Sequence, residues 1–219
     1  MLPMLKTAGK QNTVMSREDH WNSVYSTKAA NEVSWFENEP QPSLDLILQT
    51  LPDGGAVVDI GGGASCLVDR LLAVGTYELT VLDVSQVAID HTHARLDAAG
   101  EQVRWIVCDI TKATDIGEFD LWHDRAVFHF LTTADDRRAY VDLAARTVRQ
   151  GGFLVMSTFA LDGPKKCSGL DACQYSIATL SAELSPYFAA LRSIEHLHVT
   201  PAGKQQALLY AGFQRINNT

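Results

Sequence analysis

Three acids and three glycines at fixed spacing are the residues of this chain best suited to hold a ligand. Asp59 precedes Gly61, Gly62 and Gly63; Asp83 lies 20 positions beyond Gly63; Asp109 follows the apolar run Val103 to Val107. The run Val57-Val58-Asp59-Ile60 breaks into glycines, and Leu67, Leu71, Leu72 and Val74 recur at helical spacing behind it. That pattern reads as a buried strand, a tight turn and a helix. In such a βαβ unit the acid ending the second strand, here Asp83, receives the two hydroxyls of a ribose. A pyrophosphate is disfavoured because the third small residue of the loop is replaced by Cys66, and no lysine is placed to grip phosphates. An adenosine carrying an uncharged linker remains.

Asp59 with its glycines, and Asp83 after them, resemble the first two motifs of the class I S-adenosylmethionine-dependent methyltransferases. The resemblance implies S-adenosyl-L-methionine as cofactor and S-adenosyl-L-homocysteine as product. It also implies that the loop backbone holds the methionine end, that Asp83 holds the ribose, and that Asp109, matching a third motif, accepts from the adenine amino group. An acid that merely opens the turn Asp109-Ile110-Thr111 is the plainer reading of Asp109. The expected cofactor set is Asp59, Gly61, Gly62, Gly63, Asp83, Val84, Asp109, Ile110, Asp124 and Arg125. The implied fold is α/β: a Rossmann-like, doubly wound seven-stranded sheet, mostly parallel, with one antiparallel strand near the C-terminus.

Phe119 to Ala126 reads as the fourth strand and its carboxyl end, where ligands gather in open α/β sheets. Methyl transfer is a direct displacement, so positioning and water exclusion matter most, and a base matters only for a protonated acceptor. Asp124 and His129 are the catalytic candidates, with His123 and Asp162 as further possible bases. Each has a structural alternative: an Asp124–Arg125 ion pair, and a core histidine between Phe128 and Phe130. Trp35, Cys167 and Arg125 are the expected acceptor-binding residues. Asp124-Arg125-Ala126 with Arg137 and Tyr140 resembles thiopurine-type methyltransferases, which suggests a small-molecule acceptor, a thiol or other soft nucleophile. The alternatives are a protein lysine methyltransferase, or an arsenite-type enzyme gathering Cys66, Cys167 and Cys173, since thiolates favour soft ions. His196 and His198 share a strand face, but without a third ligand no metal site is expected.

The positioning elements follow from periodicity. A helix opens near Pro40, Pro42 and Ser43, with Ser43 as cap. A second helix follows Ser85, and a third follows Thr132 or Thr133 with Asp135 and Asp136 in its first turn. A fifth strand runs over 153–159, and a strand pair closes the chain. Residues 1–18 read as a flexible segment and 19–219 as one domain. Trp21, Tyr25, Trp35 and Phe36 form an N-terminal aromatic cap, and the Gly/Pro/Lys-rich stretch 160–175 forms a lid over the ligand edge. At 219 residues the chain can bury a substantial core, and a net charge of −8 argues against nucleic-acid or anionic-membrane partners. Four cysteines without CxxC spacing, and no apolar N-terminal run, lead to the expectation of a reduced, soluble, cytoplasmic monomer or homodimer.

Overall fold

The computed structural model describes residues 15–216; the start of the expected flexible segment lies outside them. Seven strands form one sheet: β1 (Gly55–Ile60), β2 (Tyr77–Asp83), β3 (Val103–Val107), β4 (Phe119–Arg125), β5 (Val148–Phe159), β8 (Phe188–Val199) and β9 (Gln205–Arg215). Between β5 and β8 sits a separate two-stranded hairpin, β6 (Lys166–Cys167) and β7 (Leu170–Asp171). The order in the large sheet is β3-β2-β1-β4-β5-β9-β8. The first five strands pair in parallel and β9 runs antiparallel to both of its neighbours, so the expected sheet is present.

Among the described residues six α-helices accompany it: α1 (Arg17–Thr27), α2 (Gln41–Thr50), α3 (Leu67–Val74), α4 (Gln86–Leu96), α5 (Ala134–Thr147) and α6 (Ile177–Leu184). Strand alternation sends Val57, Val81, Leu121 and Val155 to one face, where Leu46 and Ile47 of α2 and Leu67 and Leu71 of α3 bury them. Val58, Leu82, Trp122 and Met156 point to the other, against Tyr140 and Leu143 of α5 and Leu180 of α6. With both faces covered, the ligand-accessible place is the carboxyl edge, where the chain leaves β1 for one side and β4 for the other.

Local differences from expectation have local causes. Pro40, not Ser43, stands at the start of α2; Ser43 lies inside the helix and is fully buried. α1 begins at Arg17, within the stretch read as flexible, because the Ser16 hydroxyl accepts from the Asp19 backbone N–H at 3.0 Å. Polar residues dominate α1, so no apolar period marks it. β5 starts at Val148, earlier than 153, and absorbs Gly151 (φ +77°) through a register shift opposite β4. Thr133 and Ser85 cap α5 and α4 as expected. Among the described residues no helix is long and apolar enough to cross a membrane.

Candidate active site

Two adjoining cavities open at the carboxyl edge. The larger is lined on one side by Leu82, Asp83, Val84, Asp109 and Ile110, and on the other by Trp21, Phe130, His129, Phe159, Cys167, Gln206 and Leu208. The smaller lies over the glycine loop, with Asp59, Gly62, Ser65, Cys66, Glu37 and His123 in its wall. Tyr25, Trp35, Gly61 and Arg125 belong to both, so the two spaces meet there.

Acids and glycines fit each other atom against atom. A Cβ on Gly62 would collide with the Asp59 carboxylate, and one on Gly63 would come within 2.7 Å of Asp83 Oδ2. Gly61 has φ +69° and leaves no room for a side chain beside Val127. Asp83 is buried; its Oδ2 accepts from the Gly63 N–H at 3.0 Å and its Oδ1 from the Ser85 N–H at 2.8 Å. Burial pushes its pKa up to about 6, against the pull of those two bonds. One acceptor direction per oxygen remains for a diol. Asp59 accepts on Oδ1 from His123 Nδ1 at 2.7 Å, and its buried Oδ2 has no partner. An orphaned carboxylate oxygen beside a glycine cradle suits a ligand ammonium.

Asp109 shows the other acid pattern. It opens a turn, accepting from the Thr111 N–H at 3.0 Å and the Thr111 hydroxyl at 2.8 Å, and Arg17 reaches it from α1 at 3.3 Å. Burial pushes its carboxyl up, but the Thr111 bonds and the Arg17 charge outweigh burial and hold it below the usual range. The same guanidinium bonds Asp136 on α5 at 2.6 Å.

The fourth-strand residues separate by parity. His123 points beneath α2, and Asp124 points beneath α5. Asp124 is fully buried and accepts from the Val127 N–H at 2.8 Å, the Phe128 N–H at 3.1 Å and the Tyr140 hydroxyl at 2.5 Å. It lines neither cavity. The reading of Asp124 as a base or cofactor ligand is therefore corrected: its lone pairs hold the turn in which Ala126 takes φ +74°, a conformation unfavourable for a side chain. Arg137 pairs with Glu183 at 2.8 Å, which also places the thiopurine-like set in the scaffold.

His129 does face the cavity, but as a donor. It is buried, stacks on Phe159 at 4.3 Å, and its Nδ1 accepts from the Phe159 N–H at 3.3 Å. Burial depresses its pKa to about 3, so the ring is neutral and the hydrogen sits on Nε2, which has no protein partner. Asp162 is exposed outside both cavities.

Arg125 donates to the Trp35 carbonyl at 2.5 Å and pairs with Glu37 at 3.2 Å. Glu37 in turn meets His198 Nδ1 at 2.8 Å, while His198 Nε2 donates to the Ser34 carbonyl at 2.7 Å. His198 thus ties β8 to the aromatic segment. Neither Arg17 nor the Glu37–His198 pair was legible, since the partners stand 92 and 161 positions apart. Above the cavity Trp21 meets Trp35 at 5.6 Å and Phe130 at 5.2 Å, edge to face. Cys167, on β6, touches Ser34 at 3.7 Å, which brings the 160–175 segment to the aromatic one.

The thiols do not assemble. Cys66 lines the smaller cavity and Cys167 the larger; Cys173 lines neither. Burial raises the pKa of Cys66 and Cys167. Among the described residues no group of three His, Cys, Asp or Glu side chains is placed to hold a metal ion.

Residues 57–152 match the family model described as a methyltransferase domain, and they carry the glycine loop, Asp83, Asp109 and the β4 turn. The chain carries an S-adenosylmethionine-dependent methyltransferase domain over these residues. The methyltransferase is 26% identical over 162 residues to the mouse (Mus musculus) tRNA (carboxymethyluridine(34)-5-O)-methyltransferase ALKBH8, a match covering 73% of this chain and 23% of that protein. It therefore spans about a quarter of the length of the curated relatives it matches. Among solved structures, the one described under conversion of a disulfide bond into a thioacetal group during echinomycin biosynthesis shares the fold with a TM-score of 0.76. Identity is 22%, covering 92% of this chain and 94% of that one. The Burkholderia thailandensis 1,6-didemethyltoxoflavin-N1-methyltransferase shares it at 0.68 and 18% identity, covering 91% and 84%.

Proposed function

We propose that this methyltransferase transfers a methyl group to a small molecule whose accepting atom arrives already nucleophilic, a thiolate or another soft centre. The observation that carries this reading is the state of the basic groups lining the larger cavity. His129 is neutral with its hydrogen on Nε2, Asp109 is taken by Thr111 and Arg17, and both nitrogens of His198 are bonded. Among the described residues of that wall, Asp83 remains, and it is assigned to the ribose. An acceptor that needs deprotonation would find no base, whereas a thiolate needs none.

S-adenosyl-L-methionine, when bound, supplies an electrophilic methyl group. Asp83, Val84 and Ile110 would hold its nucleoside, and Gly61 to Gly63 with Asp59 its amino-acid end. Trp21, Trp35 and Phe130 exclude water from the space between, and His129 Nε2–H orients the acceptor by donating to it. The ring-walled cavity and the net charge of −8 weigh against a polynucleotide acceptor. Nothing observed favours a lysine peptide, and the separated cysteines weigh against metalloid capture.

Methyl-labelled cofactor with thiophenol, aliphatic thiols, unmodified tRNA and lysine peptides tests the reading. A thiol should be methylated with kcat/KM tracking the thiol's own ionisation, and His129→Phe should lower it about tenfold, the worth of one hydrogen bond, with cofactor affinity kept. Transfer to tRNA or peptide but to no thiol would refute it.

A further inference from the structure

Asp59 is the end of a buried line of three side chains. Asp59 and His123 are direct register partners on β1 and β4, so their side chains stand side by side on the α2 face. From α2 the Ser43 hydroxyl meets His123 Nε2 at 2.8 Å, while His123 Nδ1 meets Asp59 Oδ1 at 2.7 Å. All three residues are buried: Ser43 0%, His123 2% and Asp59 5% exposed. Ser43 lines neither cavity, whereas His123 and Asp59 border the smaller one. The serine is thus shut away from any substrate, and the arrangement cannot work as a nucleophile with its base.

We propose that His123, oriented by Ser43, is a positioning residue that holds the Asp59 carboxylate by its Oδ1 and turns its free Oδ2 toward the ammonium of the cofactor's amino-acid end; this rests on the cofactor-site assignment above. Among the described residues the hydroxyl of Ser43 meets His123 Nε2 alone, and by donating to it fixes the hydrogen on Nδ1. Nδ1–H then satisfies Oδ1 and leaves a single carboxylate oxygen unpartnered. Without that donor the carboxylate would be free to turn Oδ2 from the cradle. Core packing alone explains an apolar residue under α2 as well as it explains a histidine. It does not explain a polar line that ends in an unpartnered carboxylate oxygen on a residue bordering a cavity.

Two amide replacements separate the ring nitrogens. In His123→Asn the amide nitrogen can occupy the place of Nδ1 and keep the donor to Asp59; in His123→Gln it reaches the Nε2 position and leaves Asp59 without one. Calorimetry on the full chain would use S-adenosylhomocysteine and 5′-methylthioadenosine, which shares the nucleoside but lacks the amino-acid end. His123→Gln should weaken S-adenosylhomocysteine about tenfold and leave methylthioadenosine within about twofold, while His123→Asn stays near the parent for both. Should His123→Gln not fold, Ser43→Ala, which leaves the ring in place, should still cost S-adenosylhomocysteine about threefold selectively. Equal losses for the two ligands, or equal effects of Asn and Gln, would overturn the proposal in favour of packing. A parent protein binding S-adenosylhomocysteine no tighter than methylthioadenosine would instead remove the amino-acid subsite on which it rests.

Discussion

The nucleoside side of the cavity and its aromatic side are built on opposite principles. Leu82 to Val84, Asp109 and Ile110 come from the ends of adjacent parallel strands, and their polar atoms are fixed by backbone donors within a few positions, Ser85 on Asp83 and Thr111 on Asp109. The aromatic side draws α1, residues 33–37, the β6–β7 hairpin and β8–β9 together largely through long-range side-chain contacts: Trp21 on Phe130, Arg125 on Glu37, Glu37 on His198. A site fixed by backbone register is the same for any acceptor; a site fixed by long-range side-chain contacts can be altered one contact at a time. On the proposed assignment, the first side serves the common step and the second the particular substrate.

The sharpest way to break that division is Asp83→Ala. A buried acid accepting ribose hydroxyls is worth about 1.5–3 kcal/mol, so calorimetry should show a roughly tenfold to hundredfold loss for S-adenosylhomocysteine. Unchanged affinity would show that the nucleoside lies elsewhere. Next in size is a pH effect. Because burial raises the Asp83 pKa to about 6 from 3.8, its ionised form costs the fold stability: that contribution is present below the ordinary value and lost as pH rises through about 6. Ligand binding runs the other way, since hydroxyls donate to the ionised form. Affinity should hold above pH about 6 and fall up to about tenfold near pH 5, and Asp83→Asn should flatten the profile.

His129 supplies the opposite sign on the aromatic side. A histidine depressed to about 3 contributes stability that is present above 6.5 and lost as pH falls through the window between. Thermal unfolding of His129→Gln should be less acid-sensitive across that window than the parent; an identical profile would show that the ring is already charged in the fold. The smallest effect is expected of Cys167→Ser. Its thiol pKa is raised by burial and its sulfur meets Ser34 at 3.7 Å, a weak contact, so thiol turnover should change by no more than about threefold. A larger loss would make this sulfur part of acceptor recognition.

The two sides also differ in how far the sequence discloses them. Asp83, the glycines and the strand order follow from a local run and a fixed spacing, because the turn chemistry and the βαβ unit are local. The polar pair at the end of β4 shows where spacing misleads: His123 and Asp124 are neighbours in sequence, yet strand alternation delivers one to α2 and the other to α5. Ser43 reads as a helix cap because Pro40 and Pro42 obscure where α2 begins, and only the folded register shows it lying against His123. Arg17 carries no periodicity around it and bonds residues 92 and 119 positions away. Cys167 belongs to a hairpin whose turn, Ser168 and Gly169, both with positive φ, lies beyond the lysines.

That arginine ties the fold to the pace of exchange. α1 contributes Arg17, Trp21 and Tyr25 to the wall of the larger cavity, and its first turn is fastened by Arg17 to Asp109 and to Asp136 of α5. Farther along, Asn22 accepts from the Ser85 hydroxyl at 2.7 Å. The guanidinium is partly open to solvent, so added salt screens its pairs far more than it screens the buried acids beneath. Added salt is therefore expected to loosen the first turn of α1 while leaving the buried hydrogen bonds of Asp83 in place, so release of S-adenosylhomocysteine followed by stopped flow should quicken with ionic strength.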